Sequence, residues 1–133
     1  MADLPQPSEE PPVDGAAILV VEDDVPLARL MEALLESAGY RVVSVGDGEA
    51  ALTSLQEDRP ALMLLDLTLP RLDGWEVLER LRGVRGAPPV ILFTGHHAAI
   101  DRALSAGAAA AILKPFDVDD LLDTVERLIE QGS

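Results

Sequence analysis

The sequence predicts an α/β fold, a doubly wound sandwich in which a five-stranded parallel sheet carries helices on both faces, and three observations predict it. Short continuous apolar runs alternate five times with stripes of helical period from Ala16 to the last residues. Three of those runs are apolar almost throughout, as strands covered on both faces must be. The residues able to do chemistry fall where the strands end, the edge at which such sheets bind ligands.

Each element has a local reason. Residues 1–15 hold Pro5, Pro7, Pro11 and Pro12 with Asp3, Glu9, Glu10 and Asp14, and no base. That composition buries too little apolar area to offset the entropy of ordering it. A flexible acidic arm, serving as a solubilising leader or a recruitment segment, is expected ahead of a domain at 16–131. The first strand is Ala17 to Val21. Leu27, Leu30, Met31, Leu34, Leu35 and Ala38 then share one helical stripe that stops at Gly39. Arg41 to Val45 is the second strand, followed by a helix that Asp47 caps and that runs to about Leu55. The third strand is Ala61 to Leu65. Asp73, with Glu76 three residues on, resembles a capping box and starts a helix over Trp75 to Leu81. Val90 to Thr94 is the fourth strand and leads to an alanine-rich helix from His97 to Ala106, ended by Gly107. After a fifth strand at Ala109 to Leu113, Asp117 caps a last helix whose stripe is Val118, Leu121, Leu122, Val125, Leu128 and Ile129.

Composition narrows the function. A length of 133 residues with 48% hydrophobic side chains fits one domain, and 24 acids against 10 bases leave a formal charge of -14. A surface of that sign repels nucleic acid and anionic membranes, so direct binding of either is not expected. The absence of cysteine removes disulfides, thiol catalysis and thiolate metal sites. The first residues lack the basic and apolar regions of a secretory signal, and no apolar stretch is long enough for a membrane span, so a cytoplasmic protein is expected. Nine of the ten bases are arginine; Lys114 is the single lysine.

The strand ends carry Glu22, Asp23 and Asp24 after the first strand, Asp66 after the third, Thr94 at the end of the fourth and Lys114 after the fifth. Singly, each has a plain reading as a solvated loop residue. Together, carboxylates converging on one crevice repel one another unless a cation neutralises them, and oxygen ligands of this kind suit Mg2+. A hydroxyl and an ammonium opposite complete surroundings for a phosphoryl group.

The segments ILVVEDD, LMLLDLTLPRLDGWEVL, VILFTG and AILKPF, in that order and spacing, resemble the receiver domain of bacterial two-component response regulators over about Ile18 to Glu130. The resemblance implies a flavodoxin-like (βα)5 fold with strand order 2-1-3-4-5. It implies that Asp66 accepts a phosphoryl group from a phosphohistidine on a sensor histidine kinase or histidine phosphotransferase. Glu22, Asp23, Asp66 and the backbone carbonyl of Thr68 are the implied Mg2+ ligands, and Lys114 and Thr94 the implied partners of the phosphoryl oxygens. Such a domain promotes its own phosphorylation and slow dephosphorylation, and signals to a downstream protein partner. A cis peptide at Lys114-Pro115 is implied as well, which only an X-Pro bond makes inexpensive. The retained lysine then makes sense, because a compact ammonium on a flexible stem follows a moving phosphoryl group as a planar guanidinium does not.

Two departures from the family pattern stand out. Ala111 occupies the position, three residues before the lysine, where most receivers carry an aromatic that swings inward on phosphorylation. Output is therefore expected to be weak or to depend on the fourth helix itself. Glu22 replaces the more frequent aspartate and reaches one methylene further. His96 is expected as an exposed loop residue, His97 as the exposed start of the fourth helix, and Trp75 as a packing residue; two adjacent histidines do not make a zinc site. A flavodoxin-like cofactor binder is disfavoured by three acids where a phosphate cradle belongs. An aspartyl-phosphate phosphatase is disfavoured by Thr68 where a second acid belongs. The remaining rival is a receiver-shaped scaffold that binds partners without phosphorylation. With the last helix reaching the final residues, the chain is expected either to act alone or to be the front of a longer regulator.

Overall fold

The computed structural model describes residues 16–57 and 59–131; the expected acidic arm lies outside the described residues. In chain order the elements are β1 (Ala17–Val21), α1 (Val25–Ser37), β2 (Arg41–Val45), α2 (Gly48–Glu57), β3 (Leu62–Asp66), α3 (Gly74–Leu81), β4 (Val90–Thr94), α4 (Ala99–Ser105), β5 (Ala110–Leu113) and α5 (Val118–Gln131). All strand pairs are parallel, and the sheet order is β2-β1-β3-β4-β5.

The alternation of side chains along each strand splits the core into two layers. Ile18, Val20, Leu62, Leu64, Ile91 and Phe93 face the layer that holds Met31 and Leu35 of α1 and Leu121 and Val125 of α5. Leu19, Val21, Met63, Leu65 and Leu92 face Ala51 and Leu55 of α2, Val77 and Leu78 of α3 and Ala103 of α4. Burial of one such Leu or Ile side chain contributes roughly 1.5–3 kcal/mol, so the central strands anchor the fold. The expected caps are present. The Asp47 carboxylate accepts from the N–H of Ala50 at 2.8 Å, Asp73 from Glu76 at 3.0 Å, and Asp117 from Asp119 at 2.8 Å and Asp120 at 3.2 Å.

Several boundaries differ from the sequence expectation: β3 starts at Leu62 rather than Ala61, α3 at Gly74 rather than Trp75, and α4 ends at Ser105 rather than Ala106. Asp66 is the last residue of β3 rather than the first after it, because the β4 ladder continues: Asp66 pairs with Phe93, and the Leu67 N–H donates to the Phe93 carbonyl at 3.0 Å. β5 starts at Ala110, where its register with Ile91 begins. α4 starts at Ala99 rather than His97, since the carbonyls of His96 and His97 close turns onto Ala99 and Ile100 before the regular helix begins.

Candidate functional site

From β1 the chain passes to β2 on one side and then to β3 on the other, so strand order reverses between β1 and β3. The crevice at their carboxyl ends is where open α/β sheets bind ligands. Glu22 leaves β1 there and Asp66 ends β3 there; both are buried, at 5% and 7% relative exposure. Asp23 sits at the mouth, exposed. One oxygen of each of these three carboxylates lies within 4.8 Å of the others.

Lys114 follows β5, two strands away from β3, and its stem spans the gap. Its Nζ donates to Oδ1 of Asp66 at 3.0 Å and reaches Oε1 of Glu22 at 3.4 Å. The Lys114–Pro115 peptide bond is cis. Burial pushes the Glu22 carboxyl above its ordinary pKa; the Asp24 N–H, donating at 3.1 Å, pulls it back, the Asp66 charge pushes it further up, and Lys114 lowers it. For Lys114 burial works against the charged form, but the hydrogen bond and charge of Asp66, with those of Glu22, outweigh it and hold the ammonium above its ordinary pKa. Three carboxylates against one ammonium leave a formal excess of two negative charges in a partly dry crevice. The all-oxygen donor set and that excess both fit a hard divalent cation.

Thr94 ends β4 and is 1% exposed. Its backbone carbonyl accepts the Lys114 N–H at 2.8 Å, which ties the two residues together through the sheet ladder. Its hydroxyl oxygen accepts the His96 N–H at 3.0 Å. Thr68 is exposed two residues beyond Asp66, at the same edge. The sequence-derived set of Glu22, Asp23, Asp66, Thr68, Thr94 and Lys114 is thus brought to one end of the sheet, while Asp24 contributes its backbone N–H to Glu22. Ala111 is half-buried on β5 against the same core layer as α2, α3 and α4.

Some contacts were not readable from the sequence. The N–H groups of Asp24 and His96 orient Glu22 and Thr94 through backbone geometry that no residue type announces. Gly74 packs so tightly under the site that a Cβ there would lie 2.6 Å from the Asp66 carbonyl oxygen and 2.8 Å from Leu67 Cα. Trp75 packs as expected, yet Arg102 of α4 also stacks on it, with Cζ 3.9 Å from the ring centroid.

The sequence pattern that defines the response regulator receiver domain matches residues 18–126. The chain belongs to this family. Among curated relatives of the receiver, the DNA-binding response regulator MtrA of Mycobacterium tuberculosis is 39% identical over 117 residues, 86% of this chain and 51% of that protein. A probable transcriptional regulator, ycf27 of Cyanophora paradoxa, is 37% identical over 90% of this chain and 50% of its own length. The chain therefore spans about half the length of the curated relatives it matches. Among solved structures, the Francisella response regulator 1452 receiver domain superposes with a TM-score of 0.85 at 26% identity, covering 90% of this chain and all of that one. The receiver domain of the sensor histidine kinase PA1611 of Pseudomonas aeruginosa, described with a magnesium ion in its active-site cleft, gives 0.81 at 35% identity over 87% and 98% of the two chains. Five parallel strands in the order 2-1-3-4-5 with five helices are the receiver architecture, as expected.

Proposed function

We propose that Asp66 is the phosphoacceptor of this receiver, charged by a phosphohistidine on a sensor histidine kinase or phosphotransferase. Glu22, Asp23, Asp66 and the Thr68 carbonyl are the proposed Mg2+ ligands. The observation that carries this reading is the Lys114 ammonium 3.0 Å from an Asp66 oxygen inside a three-carboxylate cluster.

An Asp66 carboxylate oxygen attacks phosphorus while the P–N bond of the donor breaks. The bonding electron pair leaves on the imidazole nitrogen, which takes a proton from solvent, and Asp66 becomes an acyl phosphate. No general base is needed, since the ionised carboxylate has no proton to lose; catalysis is positioning and charge neutralisation. Lys114 exchanges its contact with Asp66 for one with a phosphoryl oxygen. The Thr94 hydroxyl accepts from His96 and keeps its own proton to donate to another phosphoryl oxygen. Bound Mg2+ supplies further neutralisation of the transferring group.

The domain at 16–131 carries this chemistry and signals through protein contacts in the cytoplasm. DNA contact, which the name of MtrA attributes to that protein, requires for this chain another polypeptide or another segment, because a surface of -14 repels phosphates. No contact in the site favours the phosphorylation-independent scaffold. Incubation with Mg2+ and acetyl phosphate tests the reading by intact mass. One added phosphoryl group on the wild type and none on Asp66→Asn is expected; an unmodified wild type under both acetyl phosphate and a phosphorylated kinase overturns it.

A further inference from the structure

Four of the nine arginines, Arg59, Arg80, Arg82 and Arg85, gather at the pole of the fold opposite the carboxylate cluster, around the carboxyl ends of α2 and α3. Two grooves meet there. One, of about 200 Å3, runs between α2 and α3 past Leu52 and Leu55, with Arg59 and Arg80 beside it. The other, of about 400 Å3, runs past Leu78 and Val90 with Arg82 beside it. Val84 lines both and is 41% exposed, an apolar ridge between them. The Arg59 guanidinium donates to the Arg85 carbonyl at 3.2 Å, which joins the two loops into one surface.

All four arginines are exposed, and among the described residues none of them forms an ion pair. The negative end of the α3 macrodipole accounts for Arg80 and Arg82. The carboxyl end of α2, two residues before Arg59, offers that residue the same attraction, but neither dipole accounts for Arg85, which stands in the loop after α3. Glu57 and Glu79 are exposed on the same helices and line neither groove. In a chain of net charge -14, a cationic surface with an apolar floor calls for an anionic, partly apolar ligand.

The chain contains one. The Ala16 carbonyl accepts the Arg41 N–H at 2.9 Å and the Ala17 carbonyl accepts the Ala61 N–H at 2.8 Å, so Ala16, the residue that follows this segment in sequence, lies between the starts of β2 and β3. That is the arginine pole, and Arg59 stands only two residues before Ala61. An extended chain covers about 3.3 Å per residue, so reach does not limit contact with either groove. The segment carries four acids, no base, four prolines, Leu4 and Val13. We infer that residues 1–15 dock in cis across these grooves, with the acids on the arginines and the apolar residues on Leu52, Leu55 and Val84. Tethering gives such a segment an effective concentration on the order of mM, so contacts too weak to hold a free peptide are populated.

The absence of cysteine makes the test clean: Ser8→Cys in the full chain accepts a single nitroxide label. At about 10 mM ionic strength, where charges act over roughly 30 Å, the label is expected to broaden the amide signals of Leu55, Arg59, Val84 and Ala87. Broadening is expected to vanish at about 1 M salt, in Arg59→Ser/Arg82→Ser, and in the arm variant Glu9→Gln/Glu10→Gln/Asp14→Asn, which leaves the described fold untouched. Uniform broadening, broadening at another surface, or broadening that survives the arm variant overturns the inference. Broadening that appears only when labelled chain is mixed with unlabelled 15N chain assigns the surface to a second copy and overturns it too. So does a set of shifts at Val84 and Arg59 induced by a short DNA duplex when the label has no effect there.

Discussion

Replacing Glu22 by Gln removes one charge from the carboxylate cluster at nearly constant shape, and the structure sets the expected sign. At an effective dielectric constant of about 20, each carboxylate, no more than 4.8 Å away, opposes Glu22 by roughly 3.5 kcal/mol or more, and Lys114 at 3.4 Å attracts it by roughly 5 kcal/mol. Two repulsions against one attraction leave about 2 kcal/mol unfavourable, reduced because Asp23 is exposed and screened. Release of the desolvation cost of the buried carboxylate adds to the gain. Against it, Glu22 accepts from both Asp24 N–H and Lys114, and a single amide oxygen serves only one of them, a loss of about 1 kcal/mol. The net expectation is a metal-free domain roughly 1–3 kcal/mol more stable than wild type at neutral pH, read as a rise of several degrees in Tm. The pH dependence has a matching sign. With its folded pKa raised, Glu22 contributes stability that is fully present below its unfolded pKa and is lost as pH rises through the folded one. Wild-type Tm in chelator should therefore carry a fall that starts in the ordinary glutamate range and extends above it, and the variant should lack that component. With Mg2+ the advantage shrinks: a ligand at 100 times its Kd stabilises by about 2.7 kcal/mol, and the variant, short of one ligand charge, should gain less than half of that. Urea and thermal denaturation in chelator and in Mg2+ measure both quantities. A variant less stable than wild type in chelator, or one stabilised fully by Mg2+, refutes the reasoning.

Other perturbations separate the roles of the remaining residues. Lys114→Met should leave the fold and Mg2+ binding intact, or tighten the latter by removing a like charge, while slowing phosphoryl uptake from acetyl phosphate about 100-fold; mass spectrometry against a magnesium titration distinguishes the two effects. Thr94→Val keeps the volume of a residue that is 1% exposed but strands the His96 N–H, so a loss of about 0.5–1.5 kcal/mol in urea and a slower transfer are expected, with Thr94→Ser restoring both. Gly74→Ala drives a Cβ to 2.6 Å from the Asp66 carbonyl, against backbone that has no rotamer to yield, and should cost about 1–3 kcal/mol and disturb phosphorylation, whereas Gly46→Ala meets nothing within 4 Å and should be near neutral.

How legible the molecule was depends on the range of the interaction. β1, β2 and β4 have the expected boundaries because a run of apolar residues bounded by turn chemistry is a local signal, and the Asp47, Asp73 and Asp117 caps are local for the same reason. The start of α4 is less legible: His97 and Ala98 fit a helix by composition, and the turns closed by the His96 and His97 carbonyls displace the regular helix to Ala99. At Asp66 a carboxylate breaks the apolar run and so marks a strand end by sequence, while pairing with Phe93 keeps it in the sheet.

The residue types at the strand ends were determined by sequence alone: carboxylates, one hydroxyl and one lysine at the ends of four strands, with a charge that disfavours polyanions. Tertiary structure decided that Lys114 reaches Asp66 and Glu22 together, that backbone N–H groups orient Glu22 and Thr94, and that Gly74 closes the floor beneath the site. It also brought Arg59 beside the Arg80–Arg85 stretch at the opposite pole. The physical reason is the same in each case: a strand end or a helix end is written in neighbouring residues, but the distance between two ends depends on sheet order and twist, which no local segment contains.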